Sequence, residues 1–189
     1  MGAFLLSFGI IFVAELGDKS QLMAMAFATR YRPGQVLVGI TVATAVVHAG
    51  SVVVGAAFAA ALPTRAIGIA AGLAFLGFAV WTLRGDELSD EEAARSSRTA
   101  RSALLAVAVA FFLAELGDKT MIATITLATT EGALGTWLGS TLGMVAADAL
   151  AIAVGRVLGA RLPERLVSRL AAASFVVFGV LLLVDAVRA

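Results

Sequence analysis

Polar residues are so sparse in this chain that its apolar stretches set the layout. Six runs rich in Ala, Val, Leu, Ile, Phe and Gly can be traced, at about 3–29, 35–62, 66–83, 102–130, 134–162 and 166–187. Arg30, Arg32 and Pro33 close the first, Pro63 the second and Pro163 the fifth. A helix that crosses a bilayer needs roughly 20 apolar residues, so each run is a candidate span. Runs one, two, four and five are longer than that and must tilt, break or project past the bilayer. The pattern predicts an all-α integral membrane protein with six transmembrane helices. The truly polar stretch runs from Arg84 to Arg101 and holds Asp86, Glu87, Asp90, Glu91 and Glu92. Such a charge block reads as a solvated linker; a regulatory acidic loop is the alternative.

Sliding the chain by 100 residues superposes it on itself. Between residues 1–89 and 101–189, 25 of the 89 pairs are identical without a gap, among them Gly39/Gly139, Thr41/Thr141, Gly55/Gly155, Pro63/Pro163, Arg65/Arg165, Phe75/Phe175 and Phe78/Phe178. Many of the matches are Gly, Pro, Arg and charged residues, which a bias towards Ala and Leu does not produce. The chain therefore divides into repeat 1 (residues 1–84), a linker (85–101) and repeat 2 (102–189), with three helices in each repeat. Three is odd, so the second copy must cross the membrane in the opposite sense. That is the inverted repeat found in many secondary transporters.

Arginine placement bears on the same count. With six spans, Arg30, Arg32, Arg84, Arg95, Arg98, Arg101, Arg156, Arg161, Arg165 and Arg169 fall on one side, and Arg65 and Arg188 on the other. Positive residues mark the cytoplasmic side. This predicts a plasma (inner) membrane protein with both termini outside and the linker in the cytoplasm. Tyr31, Trp81 and Trp137 lie near run ends, where interfacial aromatics sit.

Composition agrees: 60% of the 189 residues are hydrophobic and 14% charged, with mean hydropathy +0.98. Soluble domains carry about 25% charged residues. A net charge of +1, with the Arg gathered at run ends, gives no nucleic-acid footprint. The chain has no Cys, which excludes disulfides, thiolate metal sites and redox pairs. The N-terminus lacks a basic segment and Glu15 interrupts the first run, so the first run is expected to be mature sequence rather than a signal peptide.

The chemistry gathers in one doubled hexapeptide, Glu15-Leu16-Gly17-Asp18-Lys19-Ser20 and Glu115-Leu116-Gly117-Asp118-Lys119-Thr120. Both Lys of the chain are here. Glu15 lies about 18 Å along a helix from Ala3, near the midplane, where a charged group costs roughly 3 kcal/mol. On a continuous helix Glu15 and Asp18 share a face, and Glu15 and Lys19 are spaced for an ion pair. Gly17 weakens that helix and admits another backbone or an ion, and an unwound segment would add carbonyl oxygens. Glu15, Asp18, Glu115 and Asp118 are expected to converge on the repeat axis, with Ser20 and Thr120 supplying hydroxyls. Four carboxylates, Asp148 and two Lys sum to −3, which calls for bound cations or protons. Oxygen donors suit Mn²⁺, Ca²⁺ or Mg²⁺. The alternative, that Glu–Lys pairs merely lock helices together, accounts poorly for charge at this depth.

His48, the single His, and its repeat mate Asp148 lie mid-run and are candidates for proton coupling. Gln21 is a candidate amide-oxygen donor. Met23, Met25 and Met121 read as core filling, with a thioether ligand as the minority reading. Gly39, Gly50, Gly55, Gly139, Gly143 and Gly155 are expected to allow close helix contact.

The doubled E-x-G-D-[KR]-[ST] pattern resembles the GDT-type cation/proton exchangers, a family that includes Golgi Mn²⁺/Ca²⁺ transporters, chloroplast relatives and bacterial manganese exporters. The resemblance spans essentially the whole chain. It implies antiport of Mn²⁺, with Ca²⁺ as an alternative, against protons as counter-ion. It implies Glu15, Asp18, Glu115 and Asp118 as metal ligands supported by Lys19, Ser20, Lys119 and Thr120. Many members carry Gln after the Ser or Thr; Gln21 fits and Met121 departs. The short length resembles bacterial members. The expected partners are a divalent metal ion and membrane lipid, with a homodimer admitted, no nucleic acid and no resident cofactor. An exporter of a small organic cation or amino acid is the rival; few mid-run aromatics argue against it. A passive channel would lack proton coupling. No catalytic Ser/His/Asp set is present, so an enzyme is not expected.

Overall fold

The structure, a computed structural model, describes residues 1–84, 103–158 and 164–188. Among these there are eight α-helices and no strand: α1 (Gly2–Glu15), α2 (Lys19–Arg30), α3 (Pro33–Ala61), α4 (Thr64–Arg84), α5 (Ala103–Glu115), α6 (Lys119–Glu131), α7 (Ala133–Leu158) and α8 (Glu164–Arg188). The polar linker, with Arg95, Arg98 and Arg101, lies outside the described residues, as do Arg161 and Pro163.

Runs one and four, expected to tilt, break or project, are each broken in two, at Leu16–Asp18 and at Leu116–Asp118. Run two remains a single helix, and so does run five as far as Leu158. Pro33 opens α3 from its first turn, where its missing N–H is not needed. By length and composition, α3 and the Ala133–Arg156 part of α7 are long and apolar enough to cross a membrane.

The two repeats interlock. α1 packs on α7, α3 packs on α5 and α6, and α4 packs on α8. Glycine allows the α1–α7 approach: a Cβ on Gly139 would lie 2.3 Å from the Phe4 carbonyl oxygen, and one on Gly143 2.6 Å from that of Phe8. Gly135, Gly139 and Gly143 meet successively later residues of α1, so the two helices run parallel. In the same way Gly39 meets Leu104 and Val107, and Gly55 meets Ile125 and Ala128, so α3 runs parallel with α5 and α6. Gly155 abuts Met25. Gly50 departs from expectation, with nothing within 4 Å of a Cβ placed there. The Trp137 indole N–H donates to the Ala45 carbonyl at 2.9 Å and ties α7 to α3.

Residues 100 apart touch each other at the centre. Phe75 and Phe175 have ring centroids 5.8 Å apart within a block completed by Phe78 and Phe178. The Thr44 hydroxyl donates to the Met144 sulfur at 3.2 Å. The apolar interior also encloses charged and polar side chains, while many large apolar ones face outward. Glu15, Glu115, His48 and Asp148 are buried, whereas Leu73, Val53, Leu138, Val177 and Leu181 are exposed. Apolar surface of that extent asks for a nonpolar surrounding.

Candidate metal centre

Each motif folds as a helix end, a glycine turn and a helix start. α1 ends at Glu15 and α2 begins at Lys19; between them Gly17 takes φ +77°, and Gly117 takes φ +79° in the second motif. L side chains rarely adopt that region, which is why glycine stands there. Asp18 and Asp118 occupy the N-cap positions of α2 and α6. One Asp18 oxygen accepts the backbone N–H of the next residue, Lys19, at 2.8 Å.

The break corrects the reading of one continuous helix face within each motif. The lysines instead reach across the repeats: Lys119 Nζ lies 2.8 Å from Asp18 Oδ2, and Lys19 Nζ lies 3.3 Å from Asp118 Oδ1. The Lys119 pair is the more deeply buried, with the Lys119 side chain 4% exposed against 13% for Lys19.

The two glutamates are held in matching ways. Ser20 donates its hydroxyl to Glu15 Oε2, and Thr120 donates to Glu115 Oε2 at 2.9 Å. Each hydroxyl thus engages one oxygen and leaves Oε1 buried without a hydrogen-bond partner among the described residues. Glu15, Glu115 and Asp118 each present one carboxylate oxygen within 4.8 Å of the others. Hard divalent cations bind oxygen at about 2.0–2.6 Å, so three oxygens at this spacing are near enough to share one ion. Carboxylates gathered this closely in a buried place need positive charge to compensate them. Asp18, held by Lys119, is not part of this group of three.

The Gln21 amide is engaged at both ends. Its Oε1 accepts the Gly17 N–H at 2.8 Å, and its Nε2 donates to the Ala147 carbonyl of α7 at 2.8 Å. The side chain therefore braces the glycine turn against the other repeat. At the matching position the Met121 sulfur accepts the Gly117 N–H at 3.1 Å, a weaker acceptor with nothing to donate. Met23 lies in the apolar core, as the packing reading expects of it.

His48 and Asp148 sit one turn beyond the Thr44–Met144 contact on α3 and α7, both 0% exposed. The side-chain polar atoms of both lack a hydrogen-bond partner among the described residues. Gln21 bonds to Ala147, the neighbour of Asp148, and this sets Asp148 at the depth of the first motif. The Thr44–Met144 contact was not read from the sequence; its signal was the 100-residue offset itself, applied to residue types that do not match.

An all-helical chain with acids and lysines buried at paired helix breaks, and leucines outside, has the make-up of an ion transporter. The family described as divalent cation/proton antiporter GDT1 matches residues 3–90 and 103–189, and the chain belongs to that family. Its members move cations across membranes and are not enzymes. The chain is 33% identical over 178 residues to a protein of Vibrio cholerae named "Putative manganese exporter", covering 93% of this chain and 87% of that one. It is 34% identical over 189 residues to a GDT1-like protein of Synechocystis, covering 90% and 91%. It is 30% identical over 205 residues to the chloroplastic PAM71-homolog of Arabidopsis thaliana, covering 93% of this chain and 57% of that longer protein. No solved structure matches.

Proposed function

We propose that this chain is a plasma (inner) membrane transporter that exports Mn²⁺ in exchange for protons, with Ca²⁺ as a second substrate. Six spans form two inverted repeats, residues 1–84 and 102–189, joined by a cytoplasmic linker, with both termini outside. α1 with α2, and α5 with α6, are each one broken span; α3, α4, α7 and α8 are the others. Helix direction supports the inversion. α3 runs parallel with α5, and α1 with α7; since consecutive spans alternate in direction, the first spans of the two repeats point opposite ways. The contacts between residues 100 apart support a two-fold relation.

Glu15, Asp18, Glu115 and Asp118 are the ion ligands in this reading. Ser20 and Thr120 orient the glutamates, and Lys19, Lys119 and Gln21 hold the aspartates and the turn. His48 and Asp148 lie at the depth of the site and serve proton coupling. Manganese as cargo is supported by the name of the Vibrio relative and by the all-oxygen donor set.

The observation that carries the reading is the meeting of Glu15, Glu115 and Asp118 oxygens within 4.8 Å, drawn from both repeats. The test is Mn²⁺ flux in proteoliposomes, with Mn²⁺, Ca²⁺ and the pH gradient varied separately. A pH gradient is expected to drive Mn²⁺ flux, and Glu15→Gln to abolish it while the protein still elutes as folded. Flux indifferent to the gradient, or intact in Glu15→Gln, would overturn the reading.

A further inference from the structure

The two lysines approach carboxylates that a transported cation would also claim. Lys19 Nζ lies 3.3 Å from Asp118 Oδ1, and Asp118 is one of the three acids whose oxygens meet within 4.8 Å. Lys119 lies 2.8 Å from Asp18, which stands outside that group. Both contacts join opposite repeats, so each ammonium is tethered to one half and neutralises an acid of the other. Lys19 is the longer and more exposed of the two pairs. It is the one whose ion pair is with a member of the acid group, while Lys119, paired with Asp18, also acts on Glu15 through space.

We propose that Lys19 is a tethered monovalent competitor for the cation site, and that it sets the preference for divalent over monovalent ions. The inference rests on the ion-site reading above. An ammonium fixed a few ångströms from Asp118 acts at a very high effective concentration, because its tether has already met the cost of bringing it there. A free Na⁺ or K⁺ brings the same single charge and gains nothing by replacing it. A divalent ion brings twice the charge to three carboxylates, and displaces the ammonium because Coulomb attraction scales with that charge. Lys119 pairs with Asp18 in the same arrangement. The two-fold relation then lets the lysines exchange roles when the repeats exchange conformations, so one aspartate is offered to the ion at a time.

The test uses the purified full-length chain in detergent, with Mn²⁺ as the probe and binding read by electron paramagnetic resonance of the free ion. In low salt, Lys19→Gln is expected to bind Mn²⁺ about ten-fold or more tightly than the unaltered protein, since a positive charge beside the site has been removed. Its binding should also become sensitive to NaCl, whereas Lys19→Arg should behave as the unaltered protein does. A lysine serving only as a helix brace would give the opposite, weaker binding in Lys19→Gln. Equal or weaker binding by that variant in low salt overturns the proposal. A second measurement needs no variant: added NaCl should leave Mn²⁺ binding to the unaltered protein nearly unchanged, beyond what an equal ionic strength of a bulky organic salt does. Specific competition by Na⁺ overturns the proposal as well. If the unaltered protein binds no Mn²⁺ at all, the ion-site reading itself fails and takes this inference with it.

Discussion

Lys119 and Asp18 belong to different repeats, yet their charged atoms lie 2.8 Å apart in the interior. This pair couples the two halves at the depth of the acids. Removing one member of a buried pair typically costs about 3–5 kcal/mol, because the other charge is left behind. Asp18→Asn is therefore expected to lower the unfolding midpoint clearly. Adding Lys119→Gln to it should restore part of the loss, giving a double-mutant coupling of about 1–3 kcal/mol. Thermal melts of the four proteins in one detergent check this.

The α1–α7 contact leaves no room for a side chain. Gly139→Val is expected to destabilise by about 1–3 kcal/mol or more, the usual range for overpacking, since a Cβ there would sit 2.3 Å from the Phe4 carbonyl oxygen. Gly50→Ala meets nothing within 4 Å and should be neutral or slightly stabilising. Comparing the two melts separates crowding from any general intolerance of these helices.

Gly117 isolates backbone strain from crowding, because φ is +79° while nothing lies within 4 Å of a Cβ. Gly117→Ala should cost about 1–2 kcal/mol from the left-handed conformation alone. It should also weaken Mn²⁺ binding, since the turn sets Glu115 and Asp118. A variant with unchanged melt and unchanged binding would show that the turn does not hold this geometry in solution.

Gln21 makes two hydrogen bonds that Met cannot both reproduce. Each is worth about 1 kcal/mol, so Gln21→Met is expected to cost about 1–2 kcal/mol. Hydrogen exchange should speed up at Gly17 more than at Gly117, where a methionine already stands. An unchanged exchange rate at Gly17 in the variant would contradict the bracing role.

Much of the architecture was legible because the duplication is written at a constant offset. The lengths of runs one and four left a break as one of three outcomes, and Gly17 and Gly117 mark where it falls, though the spacing of the acids reads equally as one helix face. What could not be read was partnership. The spacing of Glu15 and Lys19 suggests a local pair only while the helix continues; once Gly17 turns the chain, Lys19 points elsewhere and finds Asp118. Gln21 was read as an ion donor from its amide chemistry alone. Its true partners are a backbone N–H four residues back and a carbonyl on α7, and the second is invisible to any local rule. The Trp137 contact with the Ala45 carbonyl is hidden for the same reason, because proximity to a run end says nothing about a carbonyl on the neighbouring helix.

The interlocked pairing has a consequence for biosynthesis. α1 finds its partner in α7, and the acid at Asp18 finds its counter-charge at Lys119. A ribosome releases the first motif before either partner exists. Neither contact can form until the chain has been made through residue 119 and through α7, so the first half cannot complete its own packing during synthesis.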